Sequence, residues 1–302
     1  MNIVSLLPSA TEIIHSLGCS DMLVGISHEC DYPPEIKGLP ICSNPRFNTD
    51  GSSLKIDNTI KSLIQQALSI YEIDESLMAK LKPDLIVTQS QCEVCAVNLK
   101  DVERALKNNL NISPTIISLK PNTLQDVWKD IENIGRLLGK EKLASSILGH
   151  IEESINEIEN RSYHKTFKSI ACIEWIEPLM FAGNWVPEIV QKVGGRDVFG
   201  LSGKHSKWSK YEILFDENPD KIIFMPCGYE INKTYSEIKS LIKLAKWKKL
   251  KAFQTGEMYI VDGSQYFNRP GPRLLDSIKI MDEIINDGIS HGYHGRGWMK
   301  FD

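Results

Sequence analysis

Residues 81–89 read Leu-Lys-Pro-Asp-Leu-Ile-Val-Thr-Gln, and residues 217–225 read Glu-Asn-Pro-Asp-Lys-Ile-Ile-Phe-Met. In both stretches a Pro-Asp pair follows a helix-like segment and leads into a short apolar run of the kind that forms buried strands. A strand at 170–175, followed by a helix-like segment at 187–193, repeats the order with which the chain opens. This internal similarity indicates two similar α/β halves, although a chance match between such short stretches stays open.

An amphipathic helix is predicted between the two halves, over Lys140–Arg161. Apolar side chains recur there at steps of four and three, which is the period of one helical face; they are Leu143, Ile147, Ile151, Ile155 and Ile158. At about 1.5 Å per residue, roughly 20 residues span about 30 Å, which is long enough to join two domains. The alternative is an ordinary surface helix within one domain.

Strands and helices alternate in the first half of the chain. Short apolar runs predict strands at Ile3–Leu7, Leu23–Ser27, Leu85–Thr88 and Ile116–Leu119. Ser9 and Glu12 have the spacing of a capping box at the start of the first helix. Strands that alternate with helices are typical of parallel βαβ units, so the predicted fold class is α/β with mainly parallel sheets.

Bulk composition excludes several classes of partner. The 302 residues carry a net charge of −4, with acidic and basic residues interspersed, so no nucleic acid is expected as a partner. The run Lys243–Lys251 is the dense basic stretch of the chain, and we interpret it as a solvated helix face. No apolar run approaches the roughly 18 residues that span a bilayer. A monomer is expected.

The amino terminus carries no recognisable export signal. From Met1 the sequence enters a strand-like apolar run at once, with no basic leader and no small-residue cleavage site. We therefore expect a cytoplasmic protein; the alternative is an extracytoplasmic protein whose upstream signal is missing from this sequence. An odd count of seven cysteines without such a signal argues against a disulfide framework.

Cysteine and histidine side chains follow three of the predicted strands. If those strands are parallel, their loops meet at one edge and the side chains approach one another. Thiolates and imidazole suit zinc, iron or cobalt, or an iron–sulfur cluster. A single CxxC motif is equally compatible with a redox dithiol or with two buried thiols. The candidate metal ligands are His28, Cys30, Cys92, Cys95 and Cys227.

A thiol-dependent enzyme or a hydrolase is the rival interpretation. The sequence has no nucleophile elbow, no Walker loop and no GxGxxG motif after a strand. No catalytic residues are therefore predicted, and a binding protein is favoured over an enzyme.

Six stretches, in their order along the whole chain, resemble the helical-backbone (TroA-like) class of substrate-binding proteins, and within it the Fe/B12 type that binds cobalamin. They are residues 5–12 (SLLPSATE), 24–34 (VGISHECDYPP), 81–87 (LKPDLIV), 181–185 (FAGNW), 194–199 (GGRDVF) and 267–273 (FNRPGPR).

The resemblance implies a class III periplasmic-binding-protein-like fold, in which one long backbone helix joins two α/β lobes and the ligand lies between the lobes. The implied limits are 1–139 for the first lobe, 140–162 for the helix and 163–288 for the second lobe, and the glycine-rich residues 289–302 are expected to form a flexible tail.

Ligand-binding positions also follow from the resemblance. Aromatic walls with a few amide or hydroxyl partners suit a broad, largely apolar corrin ring. The implied residues are Pro8, Ser9, Ala10, His28, Tyr32, Gln89 and Gln91 in the first lobe, and Trp175, Phe181, Asn184, Trp185, Trp208, Phe267 and Arg269 in the second. Core packing is the alternative for each aromatic residue. Trp185 is the favoured ligand contact, so its replacement by alanine is expected to weaken binding without unfolding the chain.

The resemblance further implies a cobalamin or related corrinoid as the ligand, with haem, a siderophore or a bound Zn, Fe or Co as alternatives. Proteins of this class dock to an ABC permease through one acidic residue on each lobe. Glu212 matches in the second lobe, whereas the first-lobe match falls at Ser76, beside Glu75. That departure and the missing export signal argue against docking to a transporter. A third interpretation is a cytoplasmic corrinoid or metal chaperone that hands its ligand to a corrinoid-handling protein.

Overall fold

The computed structural model of the chain describes residues 1–66, 68–91, 97, 99–109, 113–162 and 167–301. They form two compact units, which are described separately below. The first comprises Met1–Gly51, Lys55–Pro121 and Gln125–Leu148, and the second comprises Ser52–Leu54, Asn122–Leu124 and Gly149–Asp302. The predicted domain limits, which treat the long helix as a segment of its own, stay a prediction.

Strands and helices mostly alternate through residue 162, except that β3 follows β2 and α6 follows α5. In chain order they are β1 (Ile3–Ser5), α1 (Pro8–Ser16), β2 (Leu23–Ile26), β3 (Ser43–Pro45), α2 (Ser53–Gln65), β4 (Tyr71–Ile73), α3 (Glu75–Leu81), β5 (Leu85–Gln89), α4 (Leu99–Asn109), β6 (Thr115–Leu119), α5 (Leu124–Leu137) and α6 (Glu141–Ser162).

The main sheet of the first unit is parallel, in the order β2-β1-β5-β6. Successive side chains of a strand point to opposite faces. Ile3 therefore packs in one buried cluster with α1, while its neighbour Val4 packs in another with Met78 of α3. Both faces are covered, which explains why these strands read as continuous apolar runs. A small antiparallel pair, β3 and β4, lies apart from this sheet.

The first helix begins differently from the prediction. Leu7 is the N-cap residue, Pro8 occupies the first turn, and no side chain in the described ranges caps the helix. Proline needs no partner for a backbone N–H and already has a helical φ, so it can start the helix without a capping box. The predicted capping box of Ser9 and Glu12 is wrong.

The long amphipathic helix is confirmed as α6, within one residue of its predicted ends. Three residues of the predicted stripe, Ile151, Ile155 and Ile158, are buried, whereas Leu143 is exposed. The helix passes from the first unit into the second between Leu148 and Gly149.

The remainder of the chain belongs to the second unit. Its elements are β7 (Lys168–Trp175), β8 (Met180–Phe181), α7 (Val186–Lys192), β9 (Gly195–Asp197), β10 (Lys207–Trp208), α8 (Tyr211–Glu217), β11 (Lys221–Phe224), α9 (Ile231–Leu241), α10 (Lys251–Gln254), β12 (Met258–Val261), α11 (Leu274–Ile285) and β13 (Trp298–Lys300).

The sheet of the second unit is parallel at its centre and antiparallel at its edges. Its order is β10-β8-β7-β11-β12-β13, with β9 alongside β7. β7, β11 and β12 run parallel, whereas β8, β10 and β13 are antiparallel to their neighbours. The predicted α/β fold with mainly parallel sheets is confirmed.

The repeated Pro-Asp stretches have the same local structure in both units. Lys82 and Asn218 end α3 and α8 with a left-handed φ of 44° and 50°. Asp84 accepts a hydrogen bond from the Asn2 N–H at 2.6 Å, before β1, and Asp220 accepts one from the Ser169 N–H at 2.8 Å, in β7. A helix end, a turn and a strand tether are thus repeated, which supports the predicted duplication.

The carboxyl-terminal segment, predicted to be a flexible tail, has a defined conformation. β13 pairs with β12, and Phe301 is 7% exposed. Glu283 of α11 accepts hydrogen bonds from the N–H groups of His291 and Tyr293 and from the Trp298 indole. Aromatic side chains and these charge-assisted bonds offset the chain entropy of the glycines, so the prediction is wrong.

Candidate functional site

The carboxyl ends of the parallel strands in the first unit carry several predicted ligand-binding residues. Because parallel strands end at one edge of the sheet, the loops after β1, β2 and β5 lie side by side. The structure places His28 two residues after β2, Gln89 at the end of β5 and Pro8 at the start of α1, just past the loop after β1.

His28 is held by two residues that the sequence did not single out. Its Nδ1 atom lies 3.3 Å from the Ser43 hydroxyl, and its ring lies against Tyr71 with 5.4 Å between centroids. Nε2 is buried and has no hydrogen-bond partner among the described residues. Burial lowers the pKa of the imidazole, so the ring is neutral at neutral pH and has an unused polar atom.

Cys30 is enclosed by hydroxyl groups. Its Sγ atom lies 3.1 Å from Thr11 Oγ1 and 3.2 Å from Ser27 Oγ, and all three side chains are buried. Within the described ranges no group of three or more His, Cys, Asp or Glu side chains could hold a metal ion. Cys92 and Cys95 lie outside those ranges. The predicted metal cluster is therefore not assembled from its described members, and the CxxC motif stays a prediction.

The other predicted positions of the first unit differ in exposure. Pro8, Ser9 and Ala10 are buried in the first turn of α1, and the Ser9 hydroxyl has no hydrogen-bond partner in the described part of the chain. Gln89 is 5% exposed and Tyr32 is 39% exposed. Gln91 is half-buried.

A polar cavity of about 500 Å³ adjoins the small β3–β4 sheet. Tyr71, the ring against His28, forms part of its wall. Charged and amide groups dominate the remaining wall, so the cavity suits a polar or charged group better than an apolar ring. The hydrophobic periodicity of the sequence did not predict this cavity. The other lining residues are Asn44, Arg46, Ser69, Glu72, Ile73, Asp74, Glu75, Asp101, Arg104 and Ala105.

In the second unit, a buried hydrogen-bond chain shapes the loops near the end of β7. Glu174 accepts a hydrogen bond from the Ser206 hydroxyl at 2.8 Å, and that hydroxyl in turn accepts one from the Gly183 N–H at 3.1 Å. The Asn184 N–H donates to the Lys204 carbonyl at 2.6 Å. These bonds fix Asn184 at a left-handed φ of 51°.

Two polar atoms near this end of the second sheet are buried without hydrogen-bond partners among the described residues. They are Asn184 Oδ1 and Trp175 Nε1. The Trp175 ring makes an edge contact with Tyr229 at a centroid distance of 5.5 Å. Buried polar groups are usually satisfied, so unused ones in a loop region are candidates for ligand contacts.

Three of the predicted aromatic ligand contacts are core residues instead. Trp185 is 5% exposed, and its indole N–H donates to the Phe267 carbonyl at 2.7 Å. Phe267 is fully buried, and Phe181 stacks on Phe199 with 3.9 Å between centroids. For these residues the alternative, core packing, describes the structure. Trp208 is 51% exposed and Arg269 only 8%.

Replacing Glu174 with glutamine is expected to change how stability depends on pH. Burial raises the pKa of Glu174 from 4.5 to about 7, so the folded state binds this proton more tightly than the unfolded state. Wild-type stability therefore falls as pH rises from about 4.5 to 7. The variant loses this dependence and gains about 1–3 kcal/mol at pH 8, measured by urea unfolding, with no gain near pH 4.

Glu177→Gln, at an exposed position three residues along the chain, is the control and should leave the free energy of unfolding unchanged at both pH values. An equal effect of Glu174→Gln on stability at pH 4 and pH 8 would contradict the raised pKa of Glu174.

The predicted docking residues lie at helix starts. Glu75 is half-buried in the first turn of α3, and Glu212 is exposed in the first turn of α8, 3.8 Å from Lys246 Nζ. No described helix is both long and apolar enough to cross a membrane.

In each of the two α/β units, loops that follow parallel strands carry predicted ligand-binding residues, an arrangement that suits a ligand-binding protein. The sequence profile of the family described as "Periplasmic binding protein" matches residues 3–264. The chain belongs to this family, which consists of non-enzymatic substrate-binding proteins. The prediction of a binding protein of the Fe/B12 type is confirmed.

Relatives with assigned names match nearly the whole chain. An uncharacterized ABC transporter substrate-binding lipoprotein of Bacillus subtilis is 23% identical, over 94% of this chain and 79% of its own length. A vitamin B12-binding protein of Vibrio cholerae is 22% identical, over 92% of this chain and 86% of its own length.

Solved structures share the fold. A possible iron-binding (periplasmic solute-binding) protein of Staphylococcus epidermidis superimposes with a TM-score of 0.71 and 22% identity, covering 94% of this chain and 98% of its own. A periplasmic haem-binding protein of Pseudomonas aeruginosa gives 0.70 and 16%, covering 96% and 94%. These likenesses show that the family's fold extends over nearly the whole chain.

Proposed function

We propose that the chain binds a cobalamin or related corrinoid, for uptake or for handling inside the cell. The observation that carries the proposal is the similarity to vitamin B12-binding proteins over about nine-tenths of the chain. Buried polar atoms that have no hydrogen-bond partner in the described part of the chain support it, because the amide side chains of a corrin provide both donors and acceptors. Ser9 Oγ, Trp175 Nε1 and Asn184 Oδ1 are such atoms.

A haem or other metal chelate is the second candidate. The neutral imidazole of His28 favours it, because its Nε2 atom is buried without a hydrogen-bond partner among the described residues and a neutral imidazole nitrogen is a common metal ligand. The fold shared with a haem-binding protein supports the same class of ligand. Direct zinc or iron binding that involves Cys92 and Cys95 is a variant of this candidate.

Delivery to an ABC permease is part of the proposal, because the similar Bacillus subtilis protein is named as an ABC transporter substrate-binding lipoprotein. We propose Glu75 and Glu212 as the docking residues. Charge reversal at both positions should lower transport without lowering ligand affinity. Transfer to a corrinoid-handling protein is the alternative, and cell fractionation tests the cytoplasmic location that it requires.

A thermal-shift panel tests the ligand. Cobalamin, cobinamide, haem, a ferric siderophore and Zn²⁺ are each titrated against the whole chain. The correct ligand at about 100 times its Kd should add about 2.7 kcal/mol to the free energy of unfolding. If cobalamin and cobinamide do not raise the melting temperature while haem or Zn²⁺ does, the corrinoid proposal is wrong and the second candidate takes its place.

Asn184→Gly tests the site with little disturbance of the fold. Glycine accepts the left-handed φ of this position, so the change removes the amide and leaves the backbone in place. We expect about a tenfold loss of corrinoid affinity, the typical effect of one hydrogen bond. Asn218→Gly, also at a left-handed φ but at the end of α8, is the matched control. Equal affinities of the two variants would remove Asn184 from the site.

A further inference from the structure

A lysine-rich segment of the second unit, Lys239–Lys251, has no role in the ligand proposal. It contains six lysines and no acidic residue, and it contains no arginine. Since the whole chain carries −4, the remaining residues carry a net charge of −10 against +6 in this segment. The positive charge of the chain is therefore strongly concentrated here, and we call the segment the basic turn.

The basic turn is not the solvated helix face that the sequence suggests. α9 ends at Leu241, turns follow, and a 3₁₀ turn at Trp247–Lys249 leads into α10. Trp247 is fully buried and packs on the rings of Tyr211 and Phe215. This anchor fixes the backbone of the turn that carries the lysines. Less conformational entropy of the backbone is therefore lost when the turn binds a partner.

Most cations of the basic turn are unpaired within the part of the chain that the structure describes. Lys246 lies 3.8 Å from Glu212, and Lys251 lies 2.5 Å from Asp220. Lys243, Lys248 and Lys249 are exposed, and within the described residues no carboxylate lies within 4.0 Å of their ammonium groups. They are therefore available to an external anionic partner.

Apolar side chains stand exposed among these lysines. Leu244 is 60% exposed within the turn. Ile213 is 50% exposed on α8, beside Glu212, which contacts Lys246. Exposed leucine and isoleucine among flexible lysines is the pattern of a surface that inserts apolar groups at the acyl boundary while ammonium groups meet headgroups.

The chemistry of the basic turn favours lipid over nucleic acid. Single-stranded nucleic acid is usually held by exposed aromatic rings and by arginine, but the aromatic ring of this segment is buried and arginine is absent. Lysine ammonium groups are attracted to the diffuse negative charge of an anionic lipid surface. We propose that Lys239–Lys251, together with Ile213, is a docking surface for an anionic lipid bilayer.

Vesicle flotation of the whole protein tests this surface. Binding to phosphatidylcholine vesicles is compared with binding to vesicles that also contain phosphatidylglycerol. We expect binding only to the anionic vesicles, weakened by salt that screens exposed charges. The triple variant Lys243→Gln, Lys248→Gln, Lys249→Gln should bind on the order of 100-fold more weakly, and Leu244→Ser should weaken binding at high salt as well.

A matched control changes three exposed lysines of the first unit. Lys37→Gln, Lys80→Gln and Lys142→Gln alter the net charge equally and should leave vesicle binding unchanged. Equal losses in the two triple variants, or equal binding to both kinds of vesicle, would overturn the proposal. Tighter binding to polyglutamate or to a DNA oligonucleotide than to anionic vesicles would overturn it too, and would assign the turn to an acidic macromolecule.

Discussion

Alanine at position 263 is expected to lower the free energy of unfolding by about 3 kcal/mol or more. Gly263 follows Asp262 at the end of β12, and an added Cβ would lie 2.2 Å from the Pro226 carbonyl oxygen and 2.9 Å from the Met225 carbonyl carbon. These are backbone atoms, so no rotamer change relieves the overlap. Urea unfolding of Gly263→Ala gives the loss directly.

The expected damage is local to the strand ends. Asn268 Nδ2 donates to the carbonyls of Met225 and Gly263, at 3.1 and 2.9 Å, and so ties the loops after β11 and β12 together. Gly149→Ala is the control, because no atom of the described residues lies within 4 Å of its added Cβ in the middle of α6. It should gain about 0.5–1 kcal/mol from helix propensity. Near-wild-type stability of Gly263→Ala would show that these loops tolerate a backbone shift.

Alanine at position 185 is expected to cost about 3–5 kcal/mol, the usual range for truncating a buried tryptophan. The change leaves a cavity beside α7 and removes the indole donor from the Phe267 carbonyl. The expectation from sequence, that this variant weakens ligand binding without unfolding the chain, stays a prediction, and the burial of Trp185 adds an expected loss of stability to it. Denaturant unfolding should show the loss even without ligand.

Trp208→Ala is the matched control, because Trp208 is 51% exposed. Its loss should stay within about 0.5 kcal/mol. The stability loss of Trp185→Phe should lie between those of the two alanine variants. Phenylalanine keeps much of the packing but leaves the Phe267 carbonyl without its indole donor. Equal stability of the two alanine variants would contradict the burial of Trp185.

The backbone plan could be predicted because it depends on local patterns. In these two stretches a Pro-Asp pair predicts the end of a helix before a strand, because the residue before a proline disfavours helical backbone angles. That rule found the turns at Lys82 and Asn218 in both units. The period of Ile151, Ile155 and Ile158 likewise found α6, because a helix of 22 residues repeats its face often enough to be recognised.

The side chains of the candidate site could be predicted only in part. His28 and Gln89 were implied by the resemblance, and the structure places both at the carboxyl ends of parallel strands, where they stay predicted ligand contacts. Trp185 was favoured as a ligand contact because Asn184 and a nearby proline suggest a loop. Hydrophobic periodicity does not predict the burial of a loop residue, which depends on tertiary packing. The hydroxyl of Ser43 and the ring of Tyr71 belong to separate strands, and nothing local in the sequence brings them to His28.

The carboxyl-terminal fold-back has a practical consequence for anyone who shortens this protein. The family profile ends at residue 264, yet α11 beyond it is buried almost throughout, and Trp298–Lys300 cover the open side of β12. A fragment trimmed to the family boundary would leave β12 with unpaired backbone groups and a stripped hydrophobic face. Such bare strand edges recruit other chains, so the trimmed protein should accumulate as aggregates during expression.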